Sequence, residues 1–184
     1  MAVKKIGGWQ QLSEKEIYQN PWIKLTHEEV LTPAGTPGIY GVVHFKNRAV
    51  GVVPVDEEGN TWLVHQSRYT LDCFTWEIPE GGAPEGEDML EAAKRELEEE
   101  TGLLAEHWEE LMTLHQSNSV SDEVGKVFVA RGLSAGTQAL EATEDITVRK
   151  LPLDEAIEMV MNGEITDAMS VAGLLKVALL QKRV

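Results

Sequence analysis

Cysteine is almost missing from this chain of 184 residues: Cys73 stands alone, which excludes an internal disulfide and any cysteine-based metal cluster. It reads as a small buried apolar residue. Long hydrophobic runs are missing too, and none approaches the ~18 residues that a membrane-spanning helix needs. The N-terminal MAVKKIGGWQQL has two lysines but no apolar stretch behind them, so no secretory leader is expected and the cytoplasm is the default. Basic residues are scarce, with 16 Lys and Arg against 31 Asp and Glu for a net charge of −15. That balance repels nucleic acid and anionic membrane surfaces at long range, so neither is expected as a partner. A polyanionic substrate would need a cation as escort. The histidines at 27, 44, 65, 107 and 115 form no i, i+4 zinc pair. Ser117, Ser119 and Ser121 sit in no nucleophile elbow.

What is present is ordinary for a globular domain, with 42% hydrophobic and 26% charged residues and enough length to bury a full core. Strands are expected at WIKLTHEEV from Trp22, GIYGVVHF from Gly38, AVGVVPV from Ala49, TWLVHQS from Thr61, KVFVARGL and ITVRKL. DEEGN at 56–60 reads as a hairpin turn between two of them. Helices are expected over 88–101, from Leu153 to a stop at Gly163, and from Thr166 to near the C-terminus. The fold class is therefore α+β, a mixed sheet flanked by helices. LTPAGTPG at 31–38 is rich in proline and glycine and reads as a hinge between an N-terminal hairpin and the main domain.

One segment concentrates charge. GGAPEGEDMLEAAKRELEEETGL, residues 81–103, holds eight acids against Lys94 and Arg95. Asp88 with Glu91 resembles a capping box, and Gly102 followed by Leu103 a glycine stop. On that helix Met89, Leu90, Ala93 and Leu97 form the core stripe, and Glu91, Lys94 and Glu98 lie on a solvated face. Glu96, Glu99 and Glu100 share a third face beside Ala92. Pairs of like charge at i+3 and i+4 each destabilise by roughly 0.2–0.5 kcal/mol, and the helix C-terminus disfavours anions further. A hard divalent cation offsets both, and magnesium prefers such oxygen ligands. WEIPEGG, at 76–82, runs from a strand into a double glycine, which permits a tight turn and close approach to a ligand.

Gly81, Glu87, Arg95-Glu96-Leu97, Glu99-Glu100 and Gly102-Leu103 fill nine defined positions over 23 residues, and the chain thereby resembles the Nudix hydrolase family. The resemblance implies a Nudix fold, with a mixed β-sheet sandwiched between helices, and hydrolysis of a nucleoside diphosphate linked to another group. It implies magnesium, with manganese as a substitute, held by Glu96, Glu99, Glu100 and the carbonyl of Glu80. It implies structural roles for Gly81, Gly102 and a Glu87–Arg95 pair, and makes Glu99 and Glu100 candidates for catalysis. Arg68 in HQSRY resembles the arginine that contacts the diphosphate in the sugar-nucleotide branch; a surface salt bridge is its other reading.

NPWIKL and GEITDAMSVAGLLK carry the likeness to that branch, the ADP-ribose and nucleoside diphosphate sugar pyrophosphatases, along most of the chain. Those enzymes are homodimers that exchange N-terminal strands, which implies a dimerising β-strand subdomain over 1–45 and a hydrolase domain over 46–184. They stack the base on aromatics, for which Trp22 and Tyr40 are candidates, with packing as the other reading. EATEDITV supplies Glu144 at a metal position; Glu141 is a base only with a shift of one residue, because Ala142 falls at the aligned place. Two marks differ. Asn118 and Ser119 stand where ADP-ribose enzymes carry a proline, and Asp167 is followed two residues on by Met169 instead of lysine. The reading is a nucleotide-sugar hydrolase of broad choice, of the ADP-ribose, GDP-mannose or ADP-glucose type. Its alternatives are a sensor without turnover and a hydrolase of dinucleoside polyphosphates.

Overall fold

The computed structural model describes residues 3–140 and 145–181. The chain divides into two compact units, one running through Arg48 and taking in His115–Glu123, the other holding Ala49–Leu114 and the chain from Val124 onward. Among the described residues no helix is long and apolar enough to cross a membrane.

The first unit is an antiparallel sheet of β1 (Lys4–Ile6), β2 (Trp9–Gln19), β3 (Ile23–Leu31) and β4 (Pro37–Phe45), in that order. Along β3 the alternation buries Thr26, Glu28 and Val30, so two polar side chains need internal partners. The Thr26 hydroxyl donates to Glu28 at 3.2 Å and meets His44 Nε2 at 3.2 Å, while His44 Nδ1 lies 2.6 Å from Asp122. The 115–123 segment is bonded to β4 by Val43 N–H to Val120 O at 2.8 Å and by the Tyr40 hydroxyl to Ser119 O at 2.8 Å. LTPAGTPG is not a hinge. Thr36 O accepts from Thr32 N–H at 2.8 Å, and Gly35, at φ +80°, closes a hairpin turn between β3 and β4 of this same unit.

The second unit contains β5 (Arg48–Pro54), β6 (Asn60–Arg68), β7 (Cys73–Glu77), β8 (Glu80–Ala83), α1 (Met89–Thr101), β9 (Leu103–His115), β10 (Val124–Ala135), β11 (Thr147–Pro152), α2 (Leu153–Met161) and α3 (Ala168–Gln181). Its strands form a sheet of order β8-β5-β10-β9, in which β5 and β10 run parallel, and an antiparallel sheet of order β11-β6-β7. β5 and β10 read as near-continuous apolar runs because both faces are covered. Val50, Val52, Phe128 and Ala130 pack with Met89, Ala93 and Leu97 of α1. Val53, Val55, Val127 and Val129 pack with Met159 of α2 and Met169, Leu174 and Val177 of α3. The period of two thus sets α1 on one side of the sheet and α2 with α3 on the other. Cys73 departs from expectation. It is exposed, because it opens β7 directly after a short 3₁₀ turn that ends in a left-handed Asp72 at φ 52°.

Candidate active site

The site is built on the turn from β8 into α1. Asp88 caps the helix by accepting from Leu90 N–H at 2.9 Å and Glu91 N–H at 3.3 Å. The reciprocal half of a capping box is replaced by an exposed Lys94–Glu91 pair at 2.7 Å. Gly102, left-handed at φ 68°, stops the helix and donates to Glu98 O at 2.8 Å. Ala92 joins Ala93 and Leu97 in the core, and the acidic face turns inward with it: Glu96 is 7% and Glu100 2% exposed. Glu98 is not simply solvated, since Oε1 accepts from Thr137 N–H at 3.3 Å.

Arg95 gathers this end of the site. Its guanidinium donates to Glu87 Oε2 at 3.1 Å, Gly82 O at 2.9 Å, Glu96 Oε1 at 2.8 Å and Glu99 Oε2 at 3.0 Å. The Glu87 bond and the charges of Glu96 and Glu99 hold its pKa above the ordinary value, against the effect of burial. Burial raises the Glu96 carboxyl, more than Arg95 lowers it. Glu96 also accepts from Gly82 N–H at 3.2 Å. That closeness explains Gly81, where a Cβ would stand 2.2 Å from the Glu96 carboxyl carbon. The Gly102 position is set by its left-handed backbone.

A second group lies at the Glu80 end. Glu100 Oε2 accepts from the Glu80 N–H at 2.9 Å, joining the helix to the turn. The Arg68 guanidinium donates to Glu80 Oε1 at 2.5 Å and is held by Glu77, which is 2% exposed and accepts from Arg68 Nε at 2.8 Å, Gln66 at 3.0 Å and Thr75 at 2.5 Å. Burial alone would lower the Arg68 pKa, but Glu77, Glu80 and Asp167 hold it above its ordinary value. Glu80 is pushed well above the usual carboxylate range, first by burial and then by the charges of Asp167 and Glu77. Its Oε2 is buried with no hydrogen-bond partner among the described residues.

Residues 45–169 match the family model described as NUDIX domain. The chain belongs to the NUDIX family. A second model, the nucleoside diphosphate sugar hydrolase N-terminal domain, matches residues 9–43 of this Nudix protein. It is 34% identical over 173 residues to an ADP-ribose pyrophosphatase of Mycobacterium tuberculosis, covering 92% of this chain and 83% of the relative. It is 33% identical over 159 residues to an ADP-ribose pyrophosphatase of Bacillus subtilis, covering 85% of each. A solved structure of an ADP compounds hydrolase superposes with a TM-score of 0.86 at 20% identity, over 98% of this chain and 97% of that one, which shows the shared fold.

Nudix hydrolases generally use divalent metal ions, and the residues here fit one. Glu80, Glu96, Glu99 and Glu100 supply only oxygen donors, as a hard cation requires. Glu80 keeps a buried oxygen without a partner, and its surroundings hold Glu77, Glu100 and Asp167 against the single charge of Arg68. Among the described residues no three acids or histidines converge as a finished cage, because Arg95 holds Glu96 and Glu99 while the Glu80 N–H holds Glu100.

Two other expected residues, Trp22 and Tyr40, belong to the first unit. Trp22 is 67% exposed, and Tyr40 packs edge-on against Trp9 with ring centroids 5.5 Å apart. Glu141 and Glu144 lie outside the described residues. Glu77 and Ser170 are additions to the sequence reading, and Asp167, read there as half of a substrate mark, acts by its charge on Arg68 and Glu80. The only signal for Glu77 was an acid inside an apolar strand just before the double glycine.

Proposed function

We propose that the chain hydrolyses the diphosphate bond of nucleoside diphosphate sugars, ADP-ribose among them, using magnesium or in its place manganese. The observation that carries this reading is the Arg95-centred box with its inward glutamates, in a chain alike over most of its length to two ADP-ribose pyrophosphatases. The match of residues 9–43 supports the substrate class.

A water oxygen forms a bond to one phosphorus as the bridging P–O bond breaks. The bridging oxygen leaves with the other phosphate, giving nucleoside monophosphate and sugar phosphate, and the water gives up its proton. A bound cation would neutralise the diphosphate and lower the pKa of water. Glu96, Glu99, Glu100 and the Glu80 carbonyl would hold it, with Glu144 as a further ligand, and Glu99, Glu100 and Glu141 are the candidates to take the proton. Glu77 orients Arg68 for the diphosphate, Arg95 with Glu87 ties the turn to the helix, and Trp22 and Tyr40 stack the base. The protein works in the cytoplasm as a homodimer joined through a subdomain of residues 1–45, with 46–184 as the hydrolase domain. Exposed Ile17, Tyr18 and Ile39 on the N-terminal sheet support that interface.

The test is to incubate the protein with magnesium and ADP-ribose, ADP-glucose, GDP-mannose and dinucleoside polyphosphates, and to follow release of monophosphate. Turnover of a nucleotide sugar that Glu100→Gln lowers by at least about 100-fold is expected. No release from any substrate, or an unimpaired variant, sinks the reading.

A further inference from the structure

We propose that Ser170, on the last helix, is a positioning residue that fixes the Ile78–Glu80 turn against the metal-binding glutamates of α1. The proposal rests on the hydrolase reading above. Ser170 is the only polar side chain that α3 buries completely, at 0% exposed. A hydroxyl in such surroundings costs stability unless it is bonded, and Ser170 Oγ accepts from Ile78 N–H at 2.9 Å. The need for that acceptor is local. β7 ends at Glu77 and β8 begins at Glu80, so Ile78 lies between strands with a buried N–H, and Pro79 has none to offer.

Three consecutive residues are thereby pinned by three different elements. Ile78 N–H goes to Ser170 of α3, Pro79 O accepts from Val52 N–H of β5 at 2.8 Å, and Glu80 N–H goes to Glu100 of α1 at 2.9 Å. Ser170 is itself fixed, because its N–H donates to Asp167 Oδ2 at 2.7 Å at the start of the helix. A shift of Ile78 therefore moves the Glu80 carbonyl, and through the Glu80 N–H it moves the Glu100 carboxylate. Of the three anchors, Ser170 is the side chain that can be changed without touching a proposed metal donor. Such supporting contacts are worth roughly 10–100-fold in metal affinity or activity.

The experiment measures Mn²⁺ binding without substrate, from the electron paramagnetic resonance signal of free Mn²⁺, and kcat and KM for ADP-ribose with Mg²⁺. Ser170→Ala is expected to weaken Mn²⁺ binding roughly 10–100-fold and to lower kcat more than it raises KM. Ser170→Thr, which keeps the hydroxyl, restores binding. Val177→Ala, a core truncation on the same helix, loses stability but binds Mn²⁺ as the wild type does. If Ser170→Ala does not fold, Ser170→Cys, a far weaker acceptor of similar size, serves in its place. Unchanged Mn²⁺ binding in the serine variant, or equal weakening by Val177→Ala, overturns the proposal. Wild-type protein that binds Mn²⁺ but hydrolyses nothing sinks the hydrolase reading and leaves this one to the binding data. No Mn²⁺ binding by the wild type overturns both.

Discussion

Replacing Arg95 by lysine keeps one positive charge and loses the planar fork that reaches Glu87, Glu96, Glu99 and Gly82 at once. The guanidinium is about a third exposed, so solvent screening reduces the loss to about 1–2 kcal/mol, read from urea unfolding. Activity falls with it, because Glu96 and Glu99 lose the donor that orients them. Gly81→Ala is expected to be worse for the site, since its methyl would overlap the Glu96 carboxyl; metal titration should give affinity lower by roughly 10–100-fold. The partnership of Glu87 with Arg95 was legible beforehand only through the family resemblance, which implies that pair. Glu77 and Ser170 were not, for a lone acid in a strand or a lone serine in an apolar helix has no spacing to read. Their partners, Arg68 and the Ile78 N–H, come from other elements.

α1 was legible through its cap and stop and α2 through its stop at Gly163, while α3 was read from its sequence pattern alone. The chain from Asp88 to Gly102 states its own boundaries, and an apolar stripe does the rest. β2 and β9 were not, because neither has a continuous row of fully buried side chains. β2 is exposed along nearly all its length, and in β9 Leu111 alone is buried. Without a row of fully buried side chains the period of two is faint, and pairing decides that these segments are strands. Close packing makes a sharper prediction on α3, where a Cβ on Gly173 would stand 3.0 Å from Val127 and from Val53. Gly173→Ala should cost about 1–3 kcal/mol in denaturant unfolding despite the better helix propensity of alanine. The β5–β6 turn carries a pH effect. Burial by itself would raise the Asp56 pKa, but Lys150 and Asn60 hold it well below the usual carboxylate range. Its contribution is complete above the unfolded value of ~3.9 and is lost as pH falls below it. Asp56→Asn should therefore cost about 2 kcal/mol at pH 7 and flatten the acid limb of a Tm-against-pH curve.

A net charge of −15 acts on every anionic substrate before it arrives. Raising the ionic strength shortens the Debye length from about 30 Å at 0.01 M to about 8 Å at 0.15 M, so kcat/KM for a nucleotide sugar should rise a few-fold with salt, opposite to the trend for a basic enzyme. A flat or falling profile would show that the charge near the site outweighs the total. The proposed dimer is checked by sedimentation, with a two-chain species expected for the wild type and a single chain for Ile39→Glu. Composition fixed the sign of this long-range field at the outset, but not where charge gathers, since that depends on which acids fold inward. The way 115–123 joins the first unit also bears on how such a protein can be recombined. Val43 is bonded to Val120 and Asp122, and Asp122 also accepts from Phe45 N–H at 3.0 Å. A chimera with a single crossover at Arg48 would pair one parent's β4 with the other parent's 115–123. The portable module is two stretches of sequence, and an exchange between relatives needs three crossovers to keep it whole.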